Sequence, residues 1–362
     1  MILRSEKYLS RVNISLPDRL SDLHIDLAHI QRLTDTVGIV QHAKYATPDY
    51  HHGYCLDDNC RALMLAGLCN NVSPGSCDKL IDTYLAFVHY MQRENGQFGN
   101  FMSFDHQVLD DVGTEDAFGR TIWSLGSLIY NEKRPHVHMM IKELVDKAFP
   151  HIMEIKSIRA AAYALCGLTM MHRSKHYNKD FMPSIYYLAD FICNEYEKAS
   201  DDNWHWYEEI ISYDNAIIPY SLMLTKSILF EERYLLYSIE SASFLDKIIF
   251  KNDHRVELIG NEGWYRRNHQ KASVGEQAVE IPSLILMYQK LAEISNAPKF
   301  YLKAKSAFQW FHGNNRLKTQ LYDPVTKGCR DGIDYNTVNQ NQGAESTISY
   351  WLSSIYLHYE IY

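Results

Sequence analysis

The chain has 362 residues and a formal net charge of −8. That length leaves two domains or one large closed architecture open, and mild acidity argues against a nucleic-acid partner, because phosphate binding needs a basic face. The 26 Tyr and 6 Trp suit wet clefts and sugar faces as well as cores.

The N-terminal MILRSEKYLSRVN carries neither the apolar stretch nor the small-residue cleavage site of a secretory signal. No apolar run reaches the length of a membrane span. The 7 Cys are odd in number, and Cys69, Cys166 and Cys193 fall on apolar faces. With no C-x-x-C pair, free thiols in a reducing cytoplasm are expected, not a disulfide framework or a thiolate zinc site.

Apolar residues at i, i+3, i+4 spacing predict helices in chain order over 19–34 (opened by Ser21 or Asp22), 57–70, 77–93, 115–130, 136–149, 156–172, 178–198, 214–229, 232–249, 276–294, 298–313 and 343–359. Strand-like alternation is scarce. The helices pair. One member of each pair is apolar nearly all round and rich in small residues, as in Arg159 to Leu168, so it belongs inside. The other is more polar. Inner helices are expected to start near 57, 115, 156, 214, 276 and 345, a loose internal repeat. Six inner helices, each with an outer partner, predict an all-α (α/α)6 toroid. The last outer partner is missing at the C-terminus, so the segment 1–40 would complete the outer ring. No linker or low-complexity run interrupts the chain, which predicts one domain over 1–362. An open solenoid is the alternative. The long loops at 95–114 and 251–275 disfavour it, since long loops in compact domains are usually functional.

Five of the six inner helices are expected to open on an acid: Asp57-Asp58-Asn59, Glu115-Asp116, Asp214-Asn215, Glu276-Gln277 and Glu345-Ser346. Any one of these could be a helix cap. In a toroid, however, these helix starts face one end, so their carboxylates would converge on a cleft. Convergent carboxylates are the equipment for acid/base work on a glycosidic bond. Asp57 precedes Arg61 by four, and Asp116 precedes Arg120 by four. Each arginine is read as an i, i+4 partner that buttresses the acidic loop.

Trp204-His205-Trp206-Tyr207-Glu208-Glu209 precedes Tyr213-Asp214-Asn215. Two Trp two residues apart on a non-helical stretch would point to one side and could stack on a pyranose. If they were core residues, Glu208 and Glu209 would sit at an interior edge, which is costly unless they are hydrogen-bonded. Asn261-Glu262-Gly263-Trp264 lies in a long loop, where Gly260 and Gly263 permit a tight turn. Asn339 to Gln342 is an amide run, and amides suit sugar hydroxyls. H-E-x-x-H is absent, as is the Cys-His-Gly trio of zinc-binding lanthionine-cyclase toroids, so no metal or other cofactor is expected. No Gly-rich phosphate loop occurs, and no G-x-S-x-G.

His52-Gly53-Tyr54-Cys55-Leu56-Asp57-Asp58-Asn59-Cys60-Arg61-Ala62-Leu63 resembles the HGYCTDDNARAL signature of a bacterial family of α/α-toroid proteins often labelled "glycosyltransferase". Thr114 to Arg120, Trp204 to Glu208, Tyr213 to Asn215, Gly260 to Trp264 and Asn339 to Glu345 extend the resemblance over roughly 40–360. Cys60 stands where the signature has Ala. The resemblance implies a toroid of the glycoside-hydrolase kind and a carbohydrate substrate, such as a mannoside.

The sequence therefore predicts a cytoplasmic glycoside hydrolase for a mannose- or glucose-type oligosaccharide, inverting by analogy with other toroids. The acid/base pair is sought among Asp58, Glu115, Glu208 and Glu345. Asp57, Asp214 and Glu262 are candidate hydroxyl ligands or electrostatic tuners, and Trp204, Trp206 and Trp264 candidate platforms. His52, Tyr54, Asn59, Arg61, Asp116, Glu209, Asn215, Asn261, Glu276, Gln277, Asn341 and Gln342 are further candidate substrate contacts. A carboxyl separation of about 6.5–9.5 Å would go with inversion and about 5–5.5 Å with retention. The alternatives are a sugar epimerase or isomerase using His42, His52 or His205 as base, a phosphorylase, or a non-catalytic glycan-binding partner of a glycosyltransferase.

Overall fold

The computed structural model describes residues 25–174, 176–250 and 255–359. Six inner helices form a ring: α2 (Leu56–Val72), α4 (Glu115–Asn131), α6 (Ile158–Arg173), α8 (Ile217–Thr225), α10 (Glu280–Ser295) and α12 (Ala344–His358). Each packs on the next, and α12 packs back on α2. Outside them lie α3 (Asp78–Met91), α5 (Pro135–Ala148), α7 (Met182–Ala199), α9 (Glu232–Ile249) and α11 (Pro298–Phe308). The short α1 (Ala28–Leu33) packs on α12. The architecture is an all-α (α/α)6 toroid. The expected helix opening at Ser21 or Asp22 lies outside the described residues as far as position 24.

Small residues set how close the inner helices come. A methyl group on Gly126 would sit 2.3 Å from the Gly167 carbonyl oxygen, and one on Gly167 would sit 2.2 Å from that of Ile122. So α4 and α6 meet backbone to backbone, which Gly permits and any larger residue forbids. The alanine-rich start of α6 is completely buried for the same reason. Outer helices keep one apolar stripe inward, as Ile81, Tyr84, Leu85 and Val88 do on α3.

Two inner helices begin later than their sequence suggests. Asp214 takes a left-handed backbone conformation, φ 44°, so α8 starts only at Ile217. Glu276-Gln277 is a strand, β6, paired antiparallel with β7 (Gly332–Ile333), which also pairs with β8 (Val338–Asn339). Consequently α10 starts at Glu280.

The scarcity of strands also needs correcting. An antiparallel sheet of β1 (Val40–Lys44), β2 (Thr47–Cys55) and β3 (Phe101–Met102) stands on the rim beside α2. The middle of β2 is exposed on both faces, so it lacks the alternation that would announce it. A further two-residue pair, β4 (Ile210–Ile211) with β5 (Tyr265–Arg266), ties the 204–216 segment to the 260–275 loop. All seven cysteines are buried, and none forms a disulfide. No helix among the described residues is long and apolar enough to cross a membrane.

Candidate active site

The inner-helix caps are not the recurring acids. Cys55 Sγ accepts from the Asp58 N–H at 3.3 Å, Thr114 Oγ1 from Ala117 at 3.2 Å and Ser157 Oγ from Ala160 at 3.3 Å. The carboxylates of α2 are therefore free for other partners, and they turn to arginine. Asp57 contacts Arg61 at 2.8 Å and Arg120 at 2.5 Å. Asp58 contacts the same Arg61 at 2.9 Å and accepts from the Cys55 thiol at 3.2 Å. From the last inner helix, Glu345 reaches the other terminal nitrogen of Arg61 at 3.1 Å. Closing the ring thus brings residues nearly 300 positions apart onto one guanidinium.

Asp57, Asp58, Arg61, Glu345 and Cys55 line a cavity of about 300 Å³. Gln41, His42, Asn100, Phe101, Gln277 and Asp331 complete much of its wall. The electrostatics differ from acid to acid. Burial alone would push Asp57 up, but Arg120 and Arg61 overcome it and hold that carboxyl below its usual range. Burial pushes Asp58 up, and the Asp57 charge adds to this against the pull of Arg61. Burial also raises Glu345, with Asp58 and Asp57 adding and Arg61 opposing. Asp331 is raised by burial too, although Ser346 Oγ at 2.6 Å and the Gly343 N–H at 2.7 Å donate to it. His42 is lowered by burial and by its neighbour His52, whose ring lies edge-on at 4.6 Å. A raised carboxyl keeps its proton longer, and a lowered histidine stays neutral to lower pH. The cavity therefore sets carboxyls shifted up beside a histidine shifted down.

The acids of the opposite arc are occupied. Glu115 accepts from the Lys156 and Ser157 N–H groups at 2.8 and 2.5 Å, so it caps the neighbouring α6. Glu208 is paired with Arg159 at 2.9 Å, and the exposed Glu209 with Arg267 at 2.9 Å. Asp116 does not pair with Arg120 as its spacing suggests. It accepts from Ser157 Oγ at 2.6 Å and from the Tyr213 hydroxyl. Arg120 instead spans Asp57 and Asp214, its guanidinium lying 4.1 Å over the Tyr163 ring. Asp214 also accepts from the Tyr163 hydroxyl at 2.5 Å.

The tryptophan platforms need a correction. Trp204 is 3% exposed and Trp206 0%. Trp204 packs edge-on against Phe244 and Tyr265 and donates to the Glu208 carbonyl oxygen at 2.8 Å. Both indoles are wall material, and their neighbouring acids are paired with arginine instead. Trp264 is half-buried and leans on Tyr213, ring centres 6.0 Å apart.

Several candidate contacts hold the scaffold. Asn59 is fully buried and ties α2 to the Ile39 backbone through its amide. Tyr54 donates to Asp35 at 2.6 Å. Glu276 is buried against Trp310 and Arg316 at 3.0 and 3.1 Å. Gln342 bonds Thr326 at 2.6 Å and Asp323 at 3.3 Å. Asn341 accepts from the Tyr45 N–H at 2.9 Å. Asn261 and Glu262 are exposed at their turn. His205 is half-buried near Tyr196 and Phe244, outside the cavity lining.

Glu280 was not singled out by sequence. It is 5% exposed and receives the Asp214 N–H at 2.7 Å and Asn215 Nδ2 at 3.2 Å. Burial, with the Asp214 charge, pushes it up to about 8. It pins the bend that delays α8. Asn100, Phe101 and Asp331 also escape a search for acids at helix starts, because they reach the cavity from strand ends and loops. Among the described residues, no group of three or more His, Cys, Asp or Glu is arranged to hold a metal ion.

The chain matches no known protein-family profile and no curated protein sequence. Solved structures do match its fold. A cellobiose 2-epimerase from Bacillus thermoamylovorans superposes with a TM-score of 0.67 at 12% identity, over 93% of this chain and 97% of that one. A GH76 α-mannanase of Bacteroides thetaiotaomicron gives 0.64 at 9% identity, over 91% of each. A third is an inactive α-1,6-mannanase variant of Salegentibacter with two consecutive aspartates replaced by alanine, in complex with α-1,6-mannotetrose. It gives 0.60 at 8% identity, over 91% of this chain and 96% of that one. At such identities the likeness establishes the toroid alone.

Proposed function

We propose that the chain is a sugar-processing enzyme that hydrolyses a glycosidic bond in a mannose- or glucose-type oligosaccharide, with Asp58 and Glu345 as its acid/base pair. The carrying observation is the pair itself. Two raised carboxyls grip one guanidinium and face one cavity, while Asp57 beside them is kept ionised. Such a pair retains a proton to higher pH than either carboxyl alone and releases it in coupled steps. One carboxyl protonates the leaving oxygen, and the other takes a proton from the attacking water. Asp57 and the arginines fix the local charge that the oxocarbenium-like transition state meets. The loss of activity in the mannanase variant lacking two consecutive aspartates fits a role for the Asp57-Asp58 pair.

A second reading has its own observation. His42 lines the same cavity and is held neutral by burial, which suits abstraction of a proton next to a sugar carbonyl, and a cellobiose 2-epimerase shares the fold. Incubating the protein in D2O with α-1,6-mannotetraose and with cellobiose separates the two readings. Hydrolysis releases shorter sugars with no deuterium at C2. Epimerisation leaves chain length intact and exchanges C2. Under hydrolysis, Asp58→Asn and Glu345→Gln lose turnover but keep sugar binding. If both variants turn over at the wild-type rate, the assignment is wrong.

A further inference from the structure

Asn100 and Phe101 are among the cavity residues that this acid/base chemistry does not use. Asn100 and Phe101 come from the long loop that the sequence marks between α3 and α4. Asn100 is 6% exposed, and its side-chain oxygen is buried without any hydrogen-bond partner. Its backbone, by contrast, is fully engaged. The N–H donates to both oxygens of Asp110 at 2.9 Å, and the carbonyl accepts from Leu56, the first residue of α2, at 2.7 Å. A buried amide oxygen without a partner is rare and unfavourable, so its presence on a residue of the cavity wall points to a bond completed by something that enters.

Phe101 is the converse case. Phe101 is 42% exposed, although its backbone is held by Asp110 at 2.9 Å and by the Leu109 N–H at 2.8 Å. It pairs across the sheet with Cys55, which also lines the cavity. An aromatic ring beside a carboxamide whose oxygen lacks a partner suits a pyranose. The C–H face of such a ring stacks on phenyl, and its hydroxyls accept from and donate to an amide. Neither side chain carries charge, which fits a neutral sugar.

We infer that Asn100 and Phe101 form a sugar subsite at the lip of the cavity, positioning the neutral pyranose next to the one acted on. The inference rests on the carbohydrate reading above. The cavity volume of about 300 Å³ is at the small end for ligand pockets, so an oligosaccharide extends over the lip. Asp110 is a positioning residue here. It acts only by locking the backbone of the other two.

The test is steady-state kinetics and calorimetry with α-1,6-mannotetraose and with cellotetraose, on the wild type, Phe101→Ala, Phe101→Trp and Asn100→Ala. Loss of binding that is equal in ground and transition states raises KM and leaves kcat alone. The expected result is a KM raised about tenfold or more in Phe101→Ala and Asn100→Ala, with kcat within about threefold. Phe101→Trp keeps a near-wild-type KM, which a merely structural role for the ring would not allow. Unchanged KM in both alanine variants, with the wild type active, overturns the subsite alone. If the wild type neither binds nor turns over either sugar, the carbohydrate reading falls and the subsite falls with it. A matching thermal melt for Phe101→Ala confirms that folding is not the cause of any change.

Discussion

Around α2 and α12, Asp57, Asp58 and Glu345 share one arginine and face an open cavity, while around α4, α6 and α8 Glu115, Glu208 and Asp116 each have a structural partner. The residue types are the same on both arcs. The difference lies in supply. On the first arc Arg61 serves three carboxyls, so burial leaves two of them raised. On the second arc, backbone N–H groups, hydroxyls and Arg159 serve the acids nearly one for one. An acid at a helix start becomes a candidate for chemistry when its neighbours cannot all be satisfied at once.

This contrast can be broken most directly by substitution. Asp58→Asn or Glu345→Gln is expected to lower kcat by about 10²–10⁴-fold, the range for a lost acid or base. Glu115→Gln and Glu208→Gln should stay within about threefold of wild type, a change well below that range. Comparable losses on both arcs, read from initial rates, would erase the distinction.

Arg61→Met should come next, because it takes an ion-pair partner from three acids, of which only Asp57 keeps another arginine, Arg120. Loss of one partner from a buried ion pair costs about 3–5 kcal/mol, measured as a fall in the denaturant midpoint. Arg159→Met should cost less, since it takes an ion-pair partner from one carboxylate, Glu208, instead of three. Equal losses would mean that the first arc is no more strained than the second.

The pH dependence gives a third contrast. If one carboxyl of the Asp58–Glu345 pair must be protonated, kcat/KM falls as pH rises through the pair's raised pKa. Glu280 instead affects stability. Its usual value is 4.5 and its folded value about 8, so the folded state binds more protons between them. Its contribution is therefore complete below 4.5 and is lost as pH rises to about 8. Thermal melts from pH 5 to 9 should decline, and Glu280→Gln should flatten that decline. The smallest effect is Trp204→Phe, which removes one hydrogen bond at a cost of about 1 kcal/mol and should leave sugar affinity unchanged.

The toroid was legible because helical periodicity and small-residue faces are local signals. Of the residues that line the cavity, the sequence singled out Asp57, Asp58, Arg61, Gln277 and Glu345, most of them because acid and helix start coincide. Asp214 and Glu276 mislead because a left-handed residue and a two-residue strand delay their helices, and neither leaves a periodic trace. Trp204 and Trp206 mislead because a polar-tipped aromatic reads alike in a wall and in a cleft. Asn100 and Asp331 were invisible, since they reach the cavity through β-pairing and loop closure between distant segments.

A crystal structure of Glu345→Gln with α-1,6-mannotetraose or cellobiose tests the central claim most directly. The account predicts a sugar ring in the cavity, within hydrogen-bond distance of Asp57 or Asp58 and against Phe101. A ring seated against Tyr213 and Trp264 beside Glu208, with the Asp58–Glu345 cavity left to solvent, would contradict it.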